Sequence, residues 1–177
     1  NLDIKWYCNT RVELVTRELL HKMRYSGCRG VAYGAESGSQ RILDNVEKGN
    51  TVEEAEAAIK WTKEVGVKVY CSFIIGLPGE NWDTIRETMT FVKRTRPTGA
   101  QFNLAVPYPG TPMYELALRE GWVKSSFDWH QLYQHSANMR TESLTEDDLQ
   151  RARRMAYCNL YFDPRWLLGN VCWVLKY

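Results

Sequence analysis

Four apolar runs separated by amphipathic stretches set the strongest limit on how this chain can fold. The runs fall at about residues 2–7, 29–34, 67–75 and 101–106, and apolar residues recur at helical spacing between them. Alternation of this kind predicts parallel strands joined by right-handed helical crossovers, an α/β chain. Val67-Lys68-Val69-Tyr70-Cys71-Ser72-Phe73-Ile74-Ile75 is nearly continuous in apolar character, which predicts a central strand covered on both faces.

The punctuation agrees with that rhythm. A first helix is expected from about Glu13 to Tyr25, with Leu19, Leu20 and Met23 inward and Gly27 near its end. Thr51 with Glu54 makes a capping box for a second helix, which keeps Ala55, Ile59 and Thr62 or Val65 on one face and stops at Gly66. A third carries Ile85, Met89 and Val92 to about Arg96, before Pro97. Thr111 as N-cap and Pro112 at the first helical position start a fourth, ending near Gly121. Beyond Gly121 the alternation breaks. Trp122 to Met139 is aromatic and irregular, Thr145 with Asp148 caps one more helix, and Tyr157 to Tyr177 is dense in Trp, Tyr and Leu. Such a tail reads as a lid or a packing surface, expected against the helices or an exposed strand edge, with a substrate wall built from its aromatics as the alternative. The division is residues 1–121 as one unit and 122–177 as its C-terminal extension.

Composition bounds the function classes. A formal net charge of +2 with 25% charged residues is globular and gives no nucleic-acid surface; Arg151, Arg153 and Arg154 read as a solvated helix face. No apolar run is long enough for a membrane span. Cys8, Cys28, Cys71, Cys158 and Cys172 contain no close pair, so no zinc or thioredoxin-like motif is present, and reduced buried thiols in a cytoplasmic setting fit best. His21, His130 and His135 make no motif.

The chemistry is expected at the C-terminal strand ends, as in a (βα) barrel. Those ends carry Asn9 and Arg11, then Glu36 and Ser37 within Gly34-Ala35-Glu36-Ser37-Gly38-Ser39, then Gly76 to Glu80, then Asn103 and Pro107 to Thr111. An acid and a hydroxyl where a strand hands over to a helix can face a ligand; equally, Ser37 or Ser39 can serve as the cap of an ordinary turn.

Gly34-Ala35-Glu36-Ser37-Gly38-Ser39-Gln40, Ile74-Ile75-Gly76-Leu77-Pro78-Gly79-Glu80 and Pro107-Tyr108-Pro109-Gly110-Thr111, in that order with helices between, resemble the second half of the radical S-adenosylmethionine (SAM) barrel. The resemblance covers roughly Asp3 to Trp122 and implies a partial TIM-like (βα) barrel with four parallel strands, followed by a mainly helical aromatic-rich extension. Its texture is most similar to the branch whose members often carry an upstream cobalamin-binding domain.

The resemblance implies roles residue by residue. Glu36 matches the acid that faces the SAM ribose, with Ser37 beside it. Ile75, Gly76 and Leu77 match the strand and turn that receive the adenine. Asn103 and Val106 lie where the sixth barrel strand approaches the same base, and Lys48 stands where a basic residue meets the methionine carboxylate. Physically, a carboxylate accepts two ribose hydroxyl bonds, and adenine suits aliphatic walls with backbone at its edge. Gly76 and Glu80 are four apart, one more than the family's commonest spacing, so Glu80 is assigned no SAM contact; it is expected to favour the N-terminus of the next helix.

Two features of the family are missing from the sequence: the CxxxCxxC loop that holds its [4Fe-4S] cluster, and the glycine and glutamate loop after its second strand. The resemblance therefore implies a chain beginning at the third barrel strand, with cluster ligands in an N-terminal part of a parent enzyme and no activity alone. Such a parent would cleave SAM reductively to a 5'-deoxyadenosyl radical, with a reductant such as flavodoxin or ferredoxin and, in the cobalamin branch, cobalamin. The first strand's free edge would invite a partner chain or self-association. Two other readings stand beside this one: a different (βα) barrel with a phosphate cup at Gly76 and Gly79, or a non-catalytic α/β interaction domain.

Overall fold

A computed structural model describes residues 3–123 and 137–174. Most of the irregular aromatic stretch, His130 and His135 included, lies outside the described residues. Strands β1 (Trp6–Thr10), β2 (Cys28–Glu36), β3 (Lys68–Ile75) and β4 (Gly99–Leu104) form one sheet in chain order, and every adjacent pair is parallel. Between and after them run α1 (Arg17–Tyr25), α2 (Gln40–Asn45), α3 (Val52–Glu64), α4 (Trp82–Thr95), α5 (Pro112–Arg119), α6 (Glu146–Tyr161) and α7 (Pro164–Val174). This is the sheet of successive βα units expected of a barrel segment, followed by a helical, aromatic-rich region.

The caps read from the sequence are formed. Thr51 and Glu54 make a reciprocal capping box on α3, Thr145 and Asp148 make another on α6, and Thr111 accepts from the Tyr114 amide at the start of α5. Two elements differ. The first strand begins at Trp6 rather than residue 2 and continues through Thr10, because Asn9 lies on an exposed face where a polar side chain costs nothing. The first helix is split: a 3-10 turn, Val12–Leu14, precedes α1, whose own cap is Thr16.

The sheet has two unlike faces. Along β3, Val69, Cys71, Phe73 and Ile75 are buried against helices, whereas Lys68, Tyr70, Ser72 and Ile74 are only partly buried. The expectation of cover on both faces is thus corrected. The run looked continuous because Tyr70 and Ile74 are apolar in bulk, although they lie on the concave side. The helix-covered core is centred on Phe73, stacked on Phe102 with centroids 5.4 Å apart and edge-on to Phe91 at 6.1 Å.

β4 is an edge strand, and α6 satisfies it with side chains. The Phe102 amide donates to the Tyr157 hydroxyl at 3.2 Å, Arg153 Nε donates to the Phe102 carbonyl at 2.8 Å, and the Tyr161 hydroxyl meets Ala100. Arg153, Tyr157 and Tyr161 are four apart, one face of a helix laid along the strand. The aromatic extension therefore covers a strand edge, as expected.

Candidate functional site

At the C-terminal end of β2 the backbone departs from regular strand geometry. The register with β3 shifts between Gly34 and Glu36, and Glu36 adopts φ 62°, in the left-handed region. Such a conformation costs a non-glycine residue about 1–2 kcal/mol, so it persists only where surroundings impose it. The bulge turns the Glu36 carboxylate back over Gly34, where a Cβ would come within 2.6 Å of Oε1. A side chain at residue 34 would have to displace the Glu36 carboxylate from this position.

Lys48 approaches the same carboxylate, with Nζ 2.8 Å from Glu36 Oε1. Its position follows from the turn after α2: Glu47 (φ 50°) and Gly49 (φ 79°) are both left-handed, the Lys48 amide donates to Leu43 O, and Arg11 Nη2 donates to Lys48 O at 3.0 Å. The side chains of Lys48 and Glu36 are 23% and 18% exposed, reachable by a ligand yet largely shielded from bulk water.

The turn after β3 is locked from within. Gly76 and Gly79 take φ 95° and 81°, and the Gly76 amide donates to Glu80 Oε2 at 2.5 Å. Glu80 is 1% exposed, and burial pushes its pKa up to about 7 against the opposing effect of the Gly76 and Leu77 amides. Its carboxylate therefore faces its own turn, whereas the N-terminus of α4 is capped by Asn81, which accepts from the Asp83 and Thr84 amides. Asn45, at the end of α2, donates to Pro78 O at 3.3 Å and joins this turn to the Glu36 unit.

Of the other residues singled out in the sequence, Asn103 is half-buried at the end of β4, accepts from Gln101 Nε2 at 2.9 Å and pairs in register with Ile74. Val106 and Leu77 are buried. Ile75 points into the helix-covered core, so only its backbone reaches the strand end; Ile74 is the concave-face residue. Ser37 points away from Glu36: its hydroxyl lies 3.1 Å from Thr88 Oγ1 on α4 and accepts from the Ser39 amide. Ser39 occupies the N-cap position of α2 without a side-chain cap bond.

Below these strand ends the concave face opens a cavity of about 780 Å³, lined by Asn9, Arg11, Ala32, Gly34, Ser72 and Gln101 among others. Tyr7 and Tyr70 lie over Gly30, and Tyr70 also over Gly99, positions where a Cβ would come within 2.6 and 3.0 Å of a ring. Tyr70, Ser72 and Gln101 were not singled out from the sequence. Their signal was the period-two alternation within β3 and β4, hidden by the bulk of Tyr70 and Ile74.

The cysteines lie elsewhere. Cys28 and Cys71 are buried on the helix-covered face, and burial pushes the Cys71 thiol up to about 12. Cys8, beside Cys28, is also raised, by burial first and then by its neighbour. Among the described residues no three His, Cys, Asp or Glu side chains converge to hold a metal.

The profile of the radical SAM superfamily matches residues 1–92. The chain belongs to the radical SAM superfamily. This radical SAM chain is 32% identical over 170 residues to an uncharacterized methyltransferase of Pyrococcus horikoshii, covering 96% of this chain and 37% of that protein. It is also 32% identical over 148 residues to the anaerobic magnesium-protoporphyrin IX monomethyl ester cyclase of Cereibacter sphaeroides, covering 82% of this chain and 24% of the relative. The chain thus spans well under half the length of these curated relatives. Among solved structures, the radical SAM methyltransferase TsrM of Kitasatospora setae, with tryptophan and a SAM analogue bound, superposes with TM-score 0.58 at 25% identity, over 70% of this chain and 24% of that one. The same enzyme has also been solved with cobalamin and a [4Fe-4S] cluster. Coproporphyrinogen III oxidase of Escherichia coli, a radical SAM enzyme, shares the fold at TM-score 0.63 and 17% identity, over 90% of this chain and 33% of that one. No helix among the described residues is long and apolar enough to cross a membrane.

Proposed function

We propose that the strand ends of this chain form the nucleoside and carboxylate side of a SAM site in a cytoplasmic radical SAM enzyme. The observation that carries it is the Glu36–Lys48 pair, held over Gly34 by a left-handed residue at a strand bulge. In this reading the two groups separate on binding: Glu36 accepts the ribose hydroxyls, and the Lys48 ammonium turns to the methionine carboxylate. The Gly76–Leu77 backbone, the Ile75 backbone, Asn103 and Val106 line the adenine. Ser37 fixes the turn through Thr88 rather than touching the ligand.

The half-barrel, residues 1–121, supplies these groups, and the extension, residues 122–177, closes its β4 edge. Cysteines 8, 28 and 71 do not fit a [4Fe-4S] cluster, so the reading assigns the cluster ligands to an N-terminal part of the parent that joins at β1, with flavodoxin or ferredoxin as reductant. Cluster-dependent SAM cleavage is the chemistry these cofactors supply in such a parent, with cobalamin as in TsrM. The relatives' names span methyl transfer and ring closure, and the groups on this chain serve SAM in either case.

A phosphate cup at Gly76 and Gly79 is disfavoured by the geometry: Glu80 already accepts the Gly76 amide, which takes that donor away from a phosphate. The test is Lys48→Met in the intact protein, titrated with SAM by anaerobic calorimetry at matched iron content. The reading expects about tenfold weaker binding, the worth of one charge-assisted contact. Unchanged affinity would remove Lys48 from the site.

A further inference from the structure

The turn that follows Glu36 is held by a residue far along the chain. Thr88, in the middle of α4, is 4% exposed, and its Oγ1 accepts from the Gly38 amide at 3.0 Å, lies 3.1 Å from Ser37 Oγ and donates to the Thr84 carbonyl at 3.2 Å. A hydroxyl has one hydrogen to give. Because that of Thr88 goes to Thr84, the Ser37 hydroxyl is the donor in the contact between them, and Ser37 in turn accepts from the Ser39 amide at 3.1 Å. Each bond thus has one direction, and Thr88 Oγ1 is the acceptor on which the turn ends.

The backbones approach equally closely. A Cβ at residue 38 would come within 2.6 Å of Phe91 Cβ and 2.7 Å of Thr88 Cα, so the turn lies directly on α4. The start of α4 is fixed in its own right: the Asn81 amide donates to Thr84 Oγ1, and Thr84 Oγ1 donates to the Asn81 carbonyl, both at 3.0 Å, immediately after the turn that Glu80 locks. Thr88 therefore ties the end of β2 to the end of β3 through one helix.

We propose that Thr88 is a positioning residue of the SAM site, holding Glu36 at its bulge in fixed relation to the Gly76–Leu77 backbone. The proposal rests on the ribose reading of Glu36. Glu36 sits in the left-handed region, φ 62°, and such a conformation persists only where neighbours impose it. The two residues that follow it, Ser37 and Gly38, are the ones Thr88 holds. Without that acceptor a buried hydroxyl and a part-buried amide lose their partner, the turn shifts to find others, and the carboxylate leaves its place beside Lys48.

The test is SAM affinity by anaerobic calorimetry of the intact protein at matched iron content, in a double-mutant cycle of Thr88→Val with Glu36→Gln. Valine keeps the shape of threonine and removes the hydroxyl. The proposal expects Thr88→Val to weaken binding about fivefold to tenfold, and Thr88→Ser, which keeps Oγ, to stay within about twofold of the wild type. In the Glu36→Gln background the same Thr88→Val change should cost less than about twofold, because the group it positions has already lost its charge. A purely structural residue would weaken both backgrounds alike. Thermal melting checks folding; if Thr88→Val does not fold, Ser37→Ala removes the other half of the contact and is read in the same cycle. No loss from Thr88→Val, equal loss in the two backgrounds, or a Thr88→Ser variant as weak as Thr88→Val overturns the proposal while the ribose reading stands. Unchanged binding in Glu36→Gln alone overturns the ribose reading and the proposal with it.

Discussion

The hydroxyl of Tyr161, on α6, stands 3.0 Å from the backbone nitrogen of Ala100 and 3.1 Å from its carbonyl oxygen, so a single side chain takes the place of a neighbouring strand. With Tyr157 and Arg153 it gives the β4 edge the hydrogen bonds that a further strand would supply. Unpaired edges recruit other chains, so this ladder both stabilises the sheet and limits self-association there.

Replacing Tyr161 with Phe keeps the ring on Trp166, with centroids 4.8 Å apart, and removes only the hydroxyl. The expected cost is about 1–3 kcal/mol, because a part-buried amide and carbonyl lose their partner. Urea unfolding measures it. Adding Tyr157→Phe should also raise concentration-dependent association in sedimentation velocity, and an unchanged urea midpoint in both variants would show that water serves the edge equally well.

Glu80 makes stability depend on pH. Its folded pKa, about 7, lies above the ordinary value of 4.5, so the folded state holds a proton that the unfolded state has released between those values. This contribution is fully present below pH 4.5 and lost as pH rises through 7. At about 1.4 kcal/mol per pKa unit, the span is on the order of 3 kcal/mol. Urea midpoints should fall between pH 5 and 8, and Glu80→Gln, which can still accept the Gly76 amide, should flatten that slope. A wild-type slope of the opposite sign would place the Glu80 pKa below its ordinary value.

The strain at Glu36 implies a trade between stability and function. Asparagine tolerates the left-handed region better than glutamate, and the ion pair that Glu36→Asn loses contributes about 0–1 kcal/mol near a surface. The variant should unfold at a urea concentration no lower than the wild type while losing SAM affinity. A loss of more than about 2 kcal/mol would mean that Glu36 is structural.

These two carboxylates also show how far the sequence could be read. The strand order, the parallel pairing and the caps at Thr51, Thr111 and Thr145 follow from local chemistry, where residue type and spacing decide the outcome within a few positions. The position of Glu36 at a strand end was legible for the same reason. What Glu80 and Ser37 do was not, since each is set by a contact chosen in three dimensions: Glu80 turns back to the Gly76 amide, and Ser37 meets Thr88 across fifty-one positions of chain. The α6 ladder was legible only as aromatic density, because which strand it would cover depends on the packing of Leu149, Ala152 and Ala156.

The cysteines give a prediction about metal. Anaerobic reconstitution of the 177-residue chain with iron and sulfide should yield no stoichiometric cluster, since Cys28 and Cys71 are buried against helices and Cys71 is held protonated. Iron analysis with electron paramagnetic resonance of the reduced sample checks it. A full cluster lost on Cys71→Ser substitution would require the helix layer to open.

The most direct test of the SAM site is the affinity of the Glu36→Gln variant of the intact protein, measured by anaerobic calorimetry at matched iron content and folding. Glutamine keeps the side-chain size and removes the charge that accepts the ribose hydroxyls. Charged hydrogen bonds contribute about 1.5–3 kcal/mol, so the account predicts binding weakened roughly tenfold to a hundredfold, with a smaller loss in Glu80→Gln. Unchanged SAM binding in Glu36→Gln, or a larger loss in Glu80→Gln, would contradict it.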